Sequence, residues 1–155
     1  MCCMARGYRA SDSKRYYDWL YYAAIDLHVA QKLTSDKHCY NTIAFHCQQA
    51  IEKAMKGYLL WKRNRLYDGH NLPFLCKQCM QDDRSFSKWL PSCVQITRYY
   101  IEARYPADFL LQLDATTADA ATKDTEQILD DINALVKFDF NSYRPKQTKK
   151  DETNA

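Results

Sequence analysis

Hydrophobic positions recur at helical spacing through most of this chain. From Ser13, the stretch SKRYYDWLYYAAIDLHVAQKL places Tyr16, Leu20, Ala23, Leu27 and Ala30 at alternating intervals of four and three, which aligns them on one face of a helix. Ser11, Asp12 or Ser13 is the expected cap. SDKHCYN interrupts the pattern, and Ala44, Cys47, Ile51, Ala54 and Tyr58 then resume it, with Phe45, Met55 and Leu59 at the edges. This second helix is predicted to end near Arg63.

Beyond it, DGHNLP reads as a turn in which Asn71 caps a short helix through Met80, with Pro73 in the first turn and Leu72, Leu75 and Cys79 facing inward. A polar QDDRS follows. Trp89, Leu90, Val94, Ile96 and Tyr100 then mark the inner face of a helix beginning near Lys88 to Pro91, since a proline deeper inside would break it. A last helix from about Thr116 to Phe138 carries Ala121, Ile128, Ile132 and Leu135 on one face. No stretch alternates with a period of two, and no Asn-Gly type turn joins two candidate strands. The fold class predicted is all-α, an antiparallel up-and-down bundle of four to five helices over residues 13–140. Residues 1–12 are expected to be a flexible N-terminus and 141–155 a disordered polar tail.

Composition supports one domain with few, long elements: 155 residues contain only three glycines and four prolines. The net charge of +3 is small and partly sits in the tail RPKQTKK, so bulk charge does not point to nucleic acid and any basic site must be local. Seven cysteines are an odd number, and neither a signal-peptide core nor an apolar run near the ~20 residues of a membrane span is present. Reduced thiols, a cytoplasmic location and no membrane partner are therefore expected.

Candidate chemistry is concentrated after the second helix. Arg65 and His70 supply a guanidinium and an imidazole, groups that together can cleave RNA without metal, the histidine moving a proton and the arginine offsetting charge on the phosphorane. The alternative is structural: Arg63 and Arg65 neutralise the carbonyl end of one helix while His70 opens the next. Gln49, Glu52, Lys53 and Lys56 share one side of the second helix, either as contacts for phosphate and base edges or as a solvated face with a Glu52–Lys56 pair, the reading preferred. Arg98 and Arg104 lie among Tyr99, Tyr100 and Tyr105, a composition suited to stacking and phosphate pairing, or to packing at a protein surface. The single CxxC, Cys76 and Cys79, falls inside a predicted helix and reads as core thiols; no metal site and no cofactor are predicted, and HExxH, P-loop and GxSxG patterns are missing.

These stretches resemble the HEPN-domain family, named for higher eukaryotes and prokaryotes nucleotide-binding. DWLYYAAIDLHVAQKL is similar to its first-helix pattern, AFHCQQAIEKAMKGYLL to its most recognisable segment, GHNLPFLCKQC to its His-x-Leu start of a third helix, and EARYPAD to an RYP-type segment. The resemblance implies a bundle that commonly dimerises, binds nucleotide or RNA, and often works beside a minimal nucleotidyltransferase as a two-component or toxin–antitoxin pair. It nominates Gln49, Lys53, Lys56, Arg98 and Arg104 for nucleotide or RNA binding. Ribonuclease members carry an Arg, four to six intervening residues and then a His, a spacing that Arg65 and His70 satisfy with four between them; this makes a metal-independent ribonuclease the alternative function. A polar residue usually follows that Arg and a Tyr often lies two after the His, whereas this chain has Leu66 and Leu72. His70 with Leu72 fits better the branch in which His-x-Leu simply opens a helix. A purely structural interaction module is the second alternative.

Overall fold

The structure, a computed structural model, describes residues 12–104 and 112–144, except for the side chains of 103 and 104. Among these residues five α-helices form an all-α bundle: α1 (Tyr16–Leu33), α2 (Tyr40–Arg63), α3 (Leu72–Asp82), α4 (Leu90–Arg104) and α5 (Ala115–Val136). Among the described residues there is no strand, and no helix is long and apolar enough to cross a membrane.

Helix α2 is the central element and touches the other four helices. Its sequence explains why: from Ala50 to Leu60 every residue but Lys53 is buried, so it presents apolar surface to α1, α3, α4 and α5 at once. The helix ends where Asn64 adopts a left-handed conformation (φ 52°) and its N–H caps the Leu60 carbonyl, a role asparagine tolerates better than other side chains. Gly57 allows the close approach of α1, since a Cβ there would lie 3.0 Å from Leu20 Cδ2 and 3.1 Å from the Tyr16 carbonyl oxygen. The third helix follows its prediction, with the Asn71 side chain accepting from the Phe74 N–H at 2.9 Å and Leu72, Leu75 and Cys79 buried.

Three expectations need correction. Helix α1 begins at Tyr16 and has no side-chain cap from Asp12 or Ser13; instead Ser13 Oγ accepts from the Arg15 N–H and donates to Asp18 at 2.6 Å. Ser11 lies outside the described residues. In α4 the inward residues are Cys93 and Ile96, while Val94 is 53% exposed, because at 3.6 residues per turn Val94 stands about 200° around the helix from Ile96 and cannot share its face. In α5, Leu135 is exposed and Leu129 and Val136 are buried, so the seam drifts as a 3.6-residue period requires. Thr122 and Thr125 are buried in that seam with their hydroxyls donated to the carbonyls of Ala118 and Ala121.

After α5, residues 139–144 turn back onto α1. Tyr143 packs against Tyr17, Tyr21 and Phe138, and its hydroxyl donates to Asp18, which also accepts from Arg15 at 2.8 Å. Burial pushes the Asp18 carboxyl up, but the hydrogen bonds from Ser13, Tyr143 and Arg15 outweigh it and hold the group below its ordinary value. A carboxyl depressed on folding stabilises the fold above its unfolded value of about 3.9, and that stability is lost as pH falls through the lower folded value. Tyr143→Phe is therefore expected to destabilise by about 1–2 kcal/mol at pH 7, the worth of a charge-assisted hydrogen bond, and by much less near pH 2. Thermal melts of both proteins at the two pH values check this.

Candidate functional site

The loop from Asn64 to Asn71 is fixed at both ends before it reaches the site. Arg63 spans it from below: its guanidinium donates to Asp82 at 2.7 Å, to Tyr67 Oη at 2.7 Å and to the Gln78 carbonyl at 2.8 Å, tying α2 to the loop and to α3. The carbonyl-end role expected of Arg63 is thus replaced by cross-bracing. Gly69, at φ 87°, supplies the left-handed backbone that turns the chain toward α3. Buried Gln48 then pins His70, donating its amide to the His70 carbonyl at 2.8 Å while its oxygen accepts from Thr97.

His70 is presented to a cleft of about 190 Å³ between α1, α2 and this loop. Trp19 of α1 forms one wall, its indole N–H held by the Ser13 carbonyl at 2.8 Å. Helix α2 contributes Glu52, Lys53 and Lys56, and the loop contributes Leu66 to His70. Glu52, only 4% exposed, lies 3.0 Å from His70 Nδ1 through both carboxylate oxygens and accepts from Lys56 Nζ at 2.9 Å. The Lys56 ammonium is also 5.8 Å from the Trp19 ring.

A carboxylate only accepts, so Nδ1 carries the proton it shares with Glu52 and a neutral His70 ring keeps its lone pair on Nε2. The side chain is 42% exposed. This arrangement can accept a hydrogen bond or a proton from a hydroxyl, as an imidazole oriented by a carboxylate does in general-base catalysis. Asp12 and Asp68 also line the cleft and balance its lysines, so the site is polar without being strongly basic.

The predicted residues divide sharply. Lys53, Lys56 and His70 converge on this cleft. Arg65 does not: it is exposed, with its guanidinium 4.6 Å from the centre of the Tyr67 ring, and is not among the residues lining the cleft. Arg98 pairs with Glu102 at 2.9 Å on the exposed face of α4, Gln49 is half-buried outside the cleft, and the Arg104 side chain lies outside the described residues. The preferred solvated face on α2 is corrected as well, since Glu52 and Lys56 do pair but are 4% and 6% exposed.

The sequence profile of the HEPN domain matches residues 16–135, more than three quarters of the chain. The chain belongs to the HEPN domain family. Among solved structures, the HEPN chain is similar to TT1696 from Thermus thermophilus, with a TM-score of 0.68 and 23% identity over 79% of this chain and 98% of that one. It is also similar to ST0689, described as an archaeal HEPN homologue, with a TM-score of 0.64 and 24% identity over 80% and 99% of the two chains. At these identities the likeness is one of fold. Among curated proteins no significant match is found.

Sequence reasoning missed the partner of His70. Glu52 was visible as one half of an i,i+4 pair, but nothing local shows that a residue 18 positions on would share its carboxylate. Asp26 was legible in principle: it stands three after Ala23 and four before Ala30, on the apolar face of α1, where a carboxylate requires a partner. That partner is supplied by α2, since Asp26 accepts from Lys53 and lies 3.0 Å from His46 Nδ1. Among the described residues, no group of three or more His, Cys, Asp and Glu side chains is placed to hold a metal ion, and the five described cysteines are free thiols.

Proposed function

We propose that this HEPN domain is a nucleotide- or RNA-associated binding module whose site is the Glu52–His70–Lys56 cleft, acting as a homodimer and beside a minimal nucleotidyltransferase in a two-component or toxin–antitoxin pair. The observation that carries the site is one buried carboxylate, Glu52, holding both an ammonium and an imidazole at the wall of a cleft faced by an indole. Lys56 and Lys53 supply charge for phosphate, Trp19 a ring face for a base, and His70 Nε2 an acceptor for a hydroxyl or amino group. Family membership supports the ligand class, and resemblance to the wider family supports the dimer and the partner.

Calorimetry with ATP, GTP and short RNA, on protein purified with and without the product of its neighbouring gene, tests the reading. Binding tighter than ~100 μM is expected, which corresponds to only ~5.5 kcal/mol; neither ligand nor partner complex at that concentration sinks the idea. His70→Ala is expected to weaken nucleotide binding about tenfold, the loss of one good hydrogen bond.

The carboxylate on His70 Nδ1 also favours a second reading, metal-independent cleavage of RNA with His70 moving the proton. Arg65 stabilises the phosphorane in that scheme only if it arrives from the other subunit across a twofold axis, because its own subunit places it on Tyr67. Cleavage in EDTA leaving 2′,3′-cyclic phosphate ends, abolished by either Arg65→Ala or His70→Ala, is the expected result. Intact RNA after prolonged incubation with the dimer would remove this reading and leave the binding module.

A further inference from the structure

A second cluster of the same composition adjoins the cleft. Asp26 of α1 accepts from Lys53 Nζ and meets His46 Nδ1 at 3.0 Å, as Glu52 accepts from Lys56 Nζ and meets His70 Nδ1 at 3.0 Å. Each carboxylate holds one ammonium and one imidazole, and in each cluster the proton shared with the carboxylate leaves the other ring nitrogen as an acceptor when the ring is neutral. Lys53 belongs to both features, since it also lines the His70 cleft.

A brace between α1 and α2 needs only the Lys53–Asp26 pair. His46 occupies the other carboxylate oxygen, and the side chains of His46 and Lys53 stay 21% and 26% accessible. An ammonium has three N–H donors and Asp26 engages one, so Lys53 keeps capacity for an anion. One ammonium for a phosphate and one imidazole acceptor for a ribose hydroxyl match the polar groups of one nucleotide unit. His46 and Lys53, seven residues apart, share one face of α2, and Glu52, which holds His70, is the neighbour of Lys53 turned about 100° around the helix, so the two clusters lie side by side and meet at Lys53.

We propose that Asp26, His46 and Lys53 form a second nucleotide subsite beside the His70 cleft, so that the site takes a single-stranded oligonucleotide of two units or more. The proposal rests on the nucleotide reading above and extends it from one unit to two. His46 and Lys53 contact the second unit; Asp26 positions both.

The test compares 5′-AMP with 5′-phosphorylated diadenylate and its deoxy analogue by calorimetry. The ribose dinucleotide is expected to bind about tenfold tighter than AMP, the worth of one further charge-assisted hydrogen bond, and tighter than the deoxy form. In His46→Ala the ratio of dinucleotide to AMP affinity collapses toward one, whereas His70→Ala weakens both ligands together. Should His46→Ala fail to fold, His46→Gln keeps a donor for Asp26 and is expected to lower the same ratio. AMP binding as tightly as the dinucleotide, or a ratio unmoved by His46 variants, overturns the second subsite while leaving the nucleotide reading intact. Failure of every nucleotide to bind overturns both.

Discussion

Glu52→Ala is expected to lower the free energy of unfolding by about 3–5 kcal/mol, the range for removing one partner of a buried ion pair. Lys56 is 6% exposed and meets only the solvent that the cleft admits once its carboxylate is gone, so the cost is that of an undercompensated charge more than of a lost attraction. For a chain of 155 residues this is a fall in Tm on the order of 10 °C. The same change frees His70 Nδ1, so nucleotide affinity is expected to fall even at temperatures where the protein stays folded. Glu52→Met combined with Lys56→Met is expected to restore most of the stability, because two apolar side chains of similar length leave no charge to solvate, but not the binding. Denaturant melts of the two proteins decide the matter: a loss below about 1 kcal/mol in Glu52→Ala would mean that the pair does not hold this part of α2.

Gly57→Val is expected to have the second largest effect, a destabilisation of about 1–3 kcal/mol from overpacking. The first added carbon already meets Leu20 Cδ2 at 3.0 Å and the Tyr16 carbonyl at 3.1 Å, and the second contact is backbone that cannot rotate away. Helix propensity acts in the opposite direction, by less than about 1 kcal/mol relative to glycine, so steric contact decides the sign. Since α1 carries Trp19 and Asp26, forcing it off α2 also displaces one wall of the cleft and the carboxylate that holds Lys53. Gly57→Ala, with less to accommodate, separates the two terms: a smaller loss or a slight gain is expected in chemical denaturation, with Gly57→Val clearly below wild type.

Much of the fold was legible along the chain because helices are local. The Asn71 cap with Pro73 behind it, and the near-continuous apolar run of α2, each act within one or two turns. The misplaced inner faces of α4 and α5 have a common origin in helical phase. In α4 Cys93 stands three before Ile96 and shares its face, whereas Val94 stands two before it and is turned about 200° away. In α5 a four-three reading extended over six turns accumulates enough drift to exchange Leu135 for Val136.

The site divides along the same line. By itself the sequence determined the all-α class and the helix that carries the family's most recognisable segment, because propensity, capping and periodicity depend on neighbours in the chain, while side-chain chemistry nominated His70 and the family resemblance nominated Lys53 and Lys56. Only the tertiary structure decided that Glu52 lies under His70, that Asp26 joins His46 to Lys53, and that Arg65 leaves its nominated partner to stack on Tyr67. Those pairings link residues up to 27 positions apart, and they are set by the need of each buried carboxylate for a donor, a demand that packing creates and spacing along the chain does not reveal.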